Sequence, residues 1–468
     1  MSRLEQQADK TATVESEPHQ RPASTPVQRS AGRFSTHVAW TFATRVVMIA
    51  SSVGASIIVA RWLGAEGLGA LAVLNVTVAV ALQIGSAGLP SANTYFIARD
   101  KSRLSSVCAN ALIFALLAGG ALACGVIVLA KLRPSVFGNI PVELITIAAI
   151  SIPFQLILLL GLNVFLGLNL IVRFNTLDVA AQTLTLVNAV IALLILGAGL
   201  RMLVALNVAA SVLMGLLIIW LIGRMLREMS GVQPIRPDAA LFKRMAHYGI
   251  KFHIAVVAAM LIFRADLLIV NHFRGATEAG VYAVATQVAM MLMLLPGVVG
   301  TLLLPRIASE QDARGQMTMR VTRHTAFVMF LICLAAAPAS FALPLVYGAA
   351  FADASWQLLI LLPGIYLVGI ESVLVQHFSS LGLPRAIPLF WLVTLLLNVA
   401  LNLAFVPMFG ARAAAAASSI CYALIFVLVA GYFRAQTGNH FSTMLLLRGD
   451  ELRELFALAR TRGRFASR

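Results

Sequence analysis

The sequence predicts an all-α integral membrane protein with about 12 transmembrane helices in two six-helix repeats, and three observations carry that prediction. First, the 468-residue chain is 60% hydrophobic and 12% charged, where soluble domains average roughly 45–50% and 25%. Second, its apolar residues are gathered into runs of about 20 with weak alternation, which is the pattern of spanning helices and not of an outer-membrane barrel. Third, the chain repeats itself. Gly64–Val73 returns as Gly275–Val284, with Gly64/Gly275, Ala65/Ala276, Gly69/Gly280, Ala72/Ala283 and Val73/Val284 identical. Weaker echoes follow at nearly the same offset: Pro153/Pro363, Leu166-Gly167-Leu168/Leu381-Gly382-Leu383 and Gly197-Ala198/Gly410-Ala411.

Residues 1–37 are polar and rich in Ser, Thr, Gln and Pro, the composition of a disordered cytoplasmic tail. They lack the short apolar core and small-residue cleavage site of a signal peptide. Apolar runs then place helices at about 38–60, 67–90, 105–130, 142–165, 174–197 and 201–223, forming an N-terminal bundle over 38–223. A cytoplasmic linker over 224–245 contains Gln233-Pro234-Ile235-Arg236-Pro237. A second bundle over 246–433 holds helices at about 246–270, 278–303, 324–347, 356–380, 386–408 and 412–433. An even number of spans per half makes the repeats parallel, related by an axis along the membrane normal. The basic tail 434–468 carries Leu452, Leu455, Phe456 and Ala459 at i, i+3, i+4, i+7, the stripe of a helix lying on the membrane face; a solvated tail is the other reading.

The formal charge of +16 is distributed over many loops, which disfavours nucleic-acid binding. With the N-terminus inside, 26 of the 35 Lys and Arg residues fall on the cytoplasmic side and 6 on the other. That asymmetry obeys the positive-inside rule for cytoplasmic N- and C-termini, and an odd number of spans would scramble it. Cys108, Cys124, Cys333 and Cys421 all lie in apolar runs without a CxxC pair, so they read as free thiols.

No catalytic triad context, phosphate-binding glycine loop or HExxH motif is present, so no catalytic residue, metal or cofactor is assigned. The informative residues are ionisable ones inside spans, each costing roughly 2.5–3.5 kcal/mol at a helix centre unless it faces water or a partner. Arg45 lies in the first span, where snorkelling is the alternative to a cavity role. Lys251 and His253 open the seventh span. Arg264 and Asp266 follow in its outer third; spaced i, i+2, they point to different faces. Asp178 shares a face with Gln182 in the fifth span. Glu371, at mid-span, and His377 lie in the tenth. Arg45, Lys251 and Arg264 are the candidate substrate-binding cations. Asp178, Asp266, Glu371 and His377 are the candidate ion-coupling or cavity-polar groups. Pro153, Pro296, Pro338 and Pro363 interrupt apolar runs, as kink sites or as static packing features.

The stretch Ala60-Arg61-Trp62-Leu63-Gly64-Ala65-Glu66-Gly67-Leu68-Gly69 resembles the element after the first helix of bacterial polysaccharide flippases of the Wzx type. Pro384-Arg385, Asn398, Asn402 and Pro407-Met408-Phe409-Gly410-Ala411-Arg412-Ala413-Ala414 resemble their element near the end, with Ala411 and Arg412 interrupting its small-residue pattern. The resemblance covers about residues 36–433 and is shared with multidrug exporters of the same superfamily. It implies a V-shaped, alternating-access pair of bundles in the bacterial inner membrane. The implied substrate is an undecaprenyl-diphosphate-linked oligosaccharide, moved from the cytoplasmic to the periplasmic leaflet for surface polysaccharide synthesis. It further implies membrane lipids, a polysaccharide polymerase, chain-length machinery and a coupling ion, proton or sodium, as partners. The arginines agree, because their forks match phosphate oxygens. An ion-coupled multidrug antiporter is the alternative. A membrane-embedded glycosyltransferase or polymerase is disfavoured by the short outer loops.

A cysteine placed at Ser30 or Thr437 should react with maleimide only from the cytoplasmic side; labelling from outside at either position overturns the twelve-span topology.

Overall fold

The computed structural model describes residues 26–228, 236–300, 303, 315–380, 382, 384–439, 445 and 451, and every regular element among them is helical. The first helical run, Pro26–Ser86, is broken at Gly64, whose φ of 69° and ψ of −171° lie outside helical space. We name its parts α1 (residues 26–63) and α2 (residues 65–86). There follow α3 (Leu89–Arg99), α4 (Leu104–Leu132), α5 (Val142–Gly167), α6 (Ile171–Ala189, prolonged by a wider π turn, Val190–Ile195) and α7 (Leu200–Glu228). The second half consists of α8 (Ala239–Arg274), α9 (Ala276–Leu292), α10 (Gln316–Ala339), α11 (Leu343–Tyr347), α12 (Ala352–Ser380), α13 (Ala386–Phe409) and α14 (Ala411–Thr437).

Among the described residues, 11 helices are long and apolar enough to cross a membrane. The first of these spans 47 residues, Trp40–Ser86. At 1.5 Å per residue that is ~70 Å, more than twice the ~30 Å hydrocarbon layer. The Gly64 break makes it two crossings, which agrees with the expected 12. Apolar side chains cover the outside, Leu117 and Leu132 being 70% and 72% exposed. Water would not tolerate such a surface, but lipid does. The chain is a multi-pass membrane protein.

Gly275, between α8 and α9, repeats the Gly64 conformation with φ 84° and ψ 174°. Only glycine adopts that backbone without strain, which accounts for both members of this repeat pair. In the first half α4 packs on α5, α5 on α7 and α1 on α6; in the second, α12 and α13 pack on α14 and α10 on α12.

The structure corrects three boundaries. Helix begins at Pro26, inside the tail expected to be disordered through residue 37; a proline opens a first turn at no cost in hydrogen bonds. The second span stops at Ser86 instead of residue 90. The chain turns there through Ala87 and Gly88, both with positive φ, and starts α3 with Pro90 in its first turn. The linker is confined to the residues between Glu228 and Ala239, because Asp238 caps α8 by accepting the Leu241 N–H at 2.9 Å. The stripe Leu452, Leu455, Phe456 and Ala459 lies outside the described residues. From the same tail, Leu445 packs on the core and Glu451 is buried against Arg323 of α10, whose Nε donates to it at 2.9 Å.

Two glycine crossings press backbone of one half on backbone of the other. α2 crosses α9 so tightly that a Cβ on Gly69 would overlap the Ala276 carbonyl oxygen, and one on Gly280 would overlap that of Ala65. These four residues are repeat pairs, so the crossing is reciprocal. At the far end of α2, Gly88 meets Gly249 of α8 just as closely, and Tyr95 stacks on Tyr248 with ring centroids 4.5 Å apart.

Gly69→Val or Gly280→Val should therefore force the halves apart and cost at least ~3 kcal/mol of stability. Gly120→Ala, whose added methyl meets nothing within 4 Å, should gain ~0.5–1 kcal/mol. Unfolding midpoints in detergent measure both.

Candidate functional site

Between the two contacts lies a cavity of about 900 Å³, walled by α1, α2, α5, α6 and α7 of the first half and by α8 and α9 of the second. Its first-half wall carries neutral amides and hydroxyls. Asn188 donates to Asn207 Oδ1 at 2.9 Å, Gln155 donates to Ser151 Oγ at 2.9 Å and approaches Ser211 Oγ at 3.5 Å, and Asn75 and Gln182 line the same wall. Each group keeps unused donors or acceptors after these contacts. Asn188 stands two residues before the π turn that ends α6, the kind of local distortion frequent at functional sites. Across the cavity, Gln287 of α9 donates to Ser52 of α1 at 3.2 Å. Beyond that bridge, toward Arg45, the lining becomes Met48, Met290, Met291 and Leu294.

Three of the charged residues singled out from sequence line this cavity with free surface. Arg45 and Asp178 face each other at 4.0 Å, and both side chains are partly exposed. The pair accounts for two charges that a lipid environment would otherwise penalise. Arg264 also lines the cavity and is exposed to it. Among the described residues it has no carboxylate within 4.0 Å.

Asp266 turns the other way, as the i, i+2 spacing requires. It is 1% exposed and accepts hydrogen bonds from the Tyr282 hydroxyl of α9, the Ser418 hydroxyl of α14 at 2.9 Å and the Leu267 N–H at 2.8 Å. The carboxyl thereby ties three helices of the second half together at the cavity's edge. Glu371 and His377 of α12 do not line the cavity. Glu371 is buried within the second half with Oε1 lacking a hydrogen-bond partner. His377 is buried with Nδ1 3.1 Å from Thr318 Oγ1, its ring edge-on to Phe433. Lys251 lies on α8, but its side chain is outside the described residues.

The sequence reading missed the amides. Asn75, Gln155, Asn188, Asn207 and Gln287 stand singly in apolar runs, where an unpaired amide costs several kcal/mol in hydrocarbon. That cost was the available signal, and the charged residues drew attention from it.

A family model described as "Polysaccharide biosynthesis protein" matches residues 58–356, more than half of the chain. No curated protein sequence matches significantly. Among solved structures, the chain is similar to the lipid II flippase MurJ in an inward closed conformation, with a TM-score of 0.73 at 14% identity over 91% of this chain and 92% of that one. It is similar to an inward-facing MATE-family multidrug resistance transporter of the MOP superfamily, with a TM-score of 0.69 at 16% identity over 84% and 94%. A eukaryotic MATE transporter gives 0.63 at 15% over 87% and 98%. At these identities the likeness establishes the fold.

Asp266→Ala deprives two buried hydroxyls of their acceptor and should cost roughly 2–3 kcal/mol. Asp178→Ala, from a partly exposed pair, should cost less than ~1 kcal/mol. Equal losses in thermal unfolding would contradict these assignments.

Proposed function

We propose, from the premise that this chain belongs to the polysaccharide biosynthesis protein family, that it translocates a polyprenyl-diphosphate-linked oligosaccharide across the bilayer. We place the chain among the flippases and transporters of the MOP superfamily on the support of its family and its fold, and the substrate on the chemistry of the cavity. One observation carries it: the cavity joins an amide- and hydroxyl-lined wall to an arginine with no carboxylate within ion-pair distance among the described residues.

A saccharide is recognised by groups that both donate and accept, and Asn75, Gln155, Asn188, Asn207 and Ser211 supply these. A diphosphate stays charged at cellular pH and needs a cation along its path. Arg264 offers a fork for its oxygens, and Arg45 offers a second whenever the anion displaces Asp178. The two arginines stand on different helices, α8 and α1, so the anion is handed from one to the other as the halves rock. The lipid chain cannot enter so polar a chamber. It stays in the bilayer, passing between α1 and α9 where Met48, Met291 and Leu294 line the edge. Lys251, on the same helix as Arg264, is the third candidate cation. We assign the coupling cation, proton or sodium, to the second half, where the Glu371 carboxyl keeps an oxygen without a donor. In this reading the membrane is the bacterial inner membrane, both termini are cytoplasmic, and a polymerase with its chain-length machinery receives the product.

The multidrug-antiporter reading draws on the same fold. It fits a cavity lined by carboxylates better than one presenting Arg264.

Arg264→Ala and Arg45→Ala should each lower surface polysaccharide about tenfold or more, the worth of one charged hydrogen bond, at unchanged protein level. Arg264→Lys should retain part of the output if charge alone acts, and little if the planar fork acts. Normal output from well-expressed Ala variants, with altered resistance to cationic drugs, would replace the flippase by the antiporter.

A further inference from the structure

The end of the molecule at which α2 crosses α9 is closed by a second set of contacts, and these are also repeated. The turn Pro134-Ser135-Val136-Phe137-Gly138 after α4 reads like Pro344-Leu345-Val346-Tyr347-Gly348, which ends α11. Both are short helical turns terminated by a glycine of positive φ, 62° at Gly138 and 118° at Gly348. The Ser135 carbonyl accepts the Gly138 N–H at 3.2 Å and the Phe137 carbonyl that of Ile140 at 3.4 Å, and the Pro344 carbonyl accepts the Gly348 N–H at 2.9 Å; a carbonyl has two lone pairs, so the exposed ends of both turns can still accept from a neighbouring helix.

Each turn is met by a residue from the other half. Arg61, at the end of α1, donates its Nε to the Val346 carbonyl at 2.8 Å and its Nη2 to that of Leu345. His272, near the end of α8, meets the Ser135 carbonyl through Nδ1 at 2.7 Å, which requires Nδ1 to carry a proton. Its neighbour Asn271 donates to the Phe137 carbonyl at 2.9 Å. Arg61 and His272 occupy the same position of the repeat, three residues before Gly64 and Gly275. Ser135 and Leu345 hold the same place in their turns.

We propose that these contacts are a pair of reciprocal latches: the end-of-helix side chain of each half clasps the glycine-capped turn of the other, and both release together when this end of the cavity opens. The crossing of α2 on α9 is packing and has no polar reach, so it stops resisting once the backbones separate slightly. The latches reach further. Arg61 and His272 are exposed, and rotation about their side-chain bonds lets each follow a carbonyl through the first part of that motion. They therefore set how often this end opens, without touching the amides or arginines of the cavity.

Ala72, which lines the cavity beside the crossing, tests this with an impermeant maleimide applied to intact cells. Ala72→Cys should label slowly in the parent, over a background set by the chain with its four native cysteines. Arg61→Ala or His272→Ala should each raise the rate about fivefold per molecule of protein, the factor of one ordinary hydrogen bond. The two together should multiply to about twenty-fivefold, as independent contacts do. Gly199→Cys, in the connection between α6 and α7 at the same end, reports which side that end faces. If it labels only in inverted vesicles, the same comparison is made there, and the topology fails while the latch stands. An unchanged Ala72→Cys rate in either single variant overturns the proposal. Arg61→Lys serves as the second variant: it keeps the charge, loses the two-pronged donation, and should fall between parent and Arg61→Ala. A rate equal to the parent's would show that the fork is not what holds.

Discussion

Backbone pressed on backbone at Gly69 and Gly280 is the contact on which the rest depends. In lipid there is no hydrophobic gain in bringing two apolar helices together, so association rests on close packing and polar contacts. Removing both side chains at the crossing lets the α2 and α9 backbones touch and fixes the closed end of the cavity. Gly88 and Gly249 repeat the device toward the other end. Held at these places, helices of the two halves diverge between them, and the space they enclose is the cavity.

That space divides its chemistry unevenly. The first half supplies most of the neutral hydrogen-bonding groups together with the Arg45–Asp178 pair, and the second supplies Gln287, Arg264 and methionine surface. Asp266 is removed from the account by the hydroxyls of Tyr282 and Ser418, leaving its i−2 neighbour as the cation the cavity sees from that side. The same short stretch of α8 thus braces the second half with one side chain and faces the cavity with the other.

Much of this was legible in the sequence, for definite reasons. A span announces itself through twenty apolar residues because hydrocarbon demands it, and the repeat placed Gly64 and Gly275 at equivalent breaks. The opposed directions of Arg264 and Asp266 followed from helical geometry alone. Which of the two faces the cavity did not, since that depends on Ser418, remote in sequence and adjacent in space. Glu371 and His377 could not be placed because α12 is buried over much of its circumference and its sequence therefore shows no preferred face. The amides stayed hidden for a related reason: one neutral polar residue barely dents a hydropathy profile, and only the tertiary contact of Asn188 with Asn207 reveals a wall.

The repeated glycine crossing has a bearing on ancestry. A contact in which residue i of one half meets residue j of the other, and j meets i, is the signature of an isologous dimer interface. Two separate copies of a six-helix chain, facing each other about an axis along the membrane normal, would make the Ala65–Gly280 and Gly69–Ala276 contacts with a single set of residues. Fusion of such copies through a linker leaves the contact intact and frees each side to diverge, which is what the amide-rich wall on one half and Arg264 on the other record. The present chain is in that sense a homodimer whose partners have been joined and have since specialised.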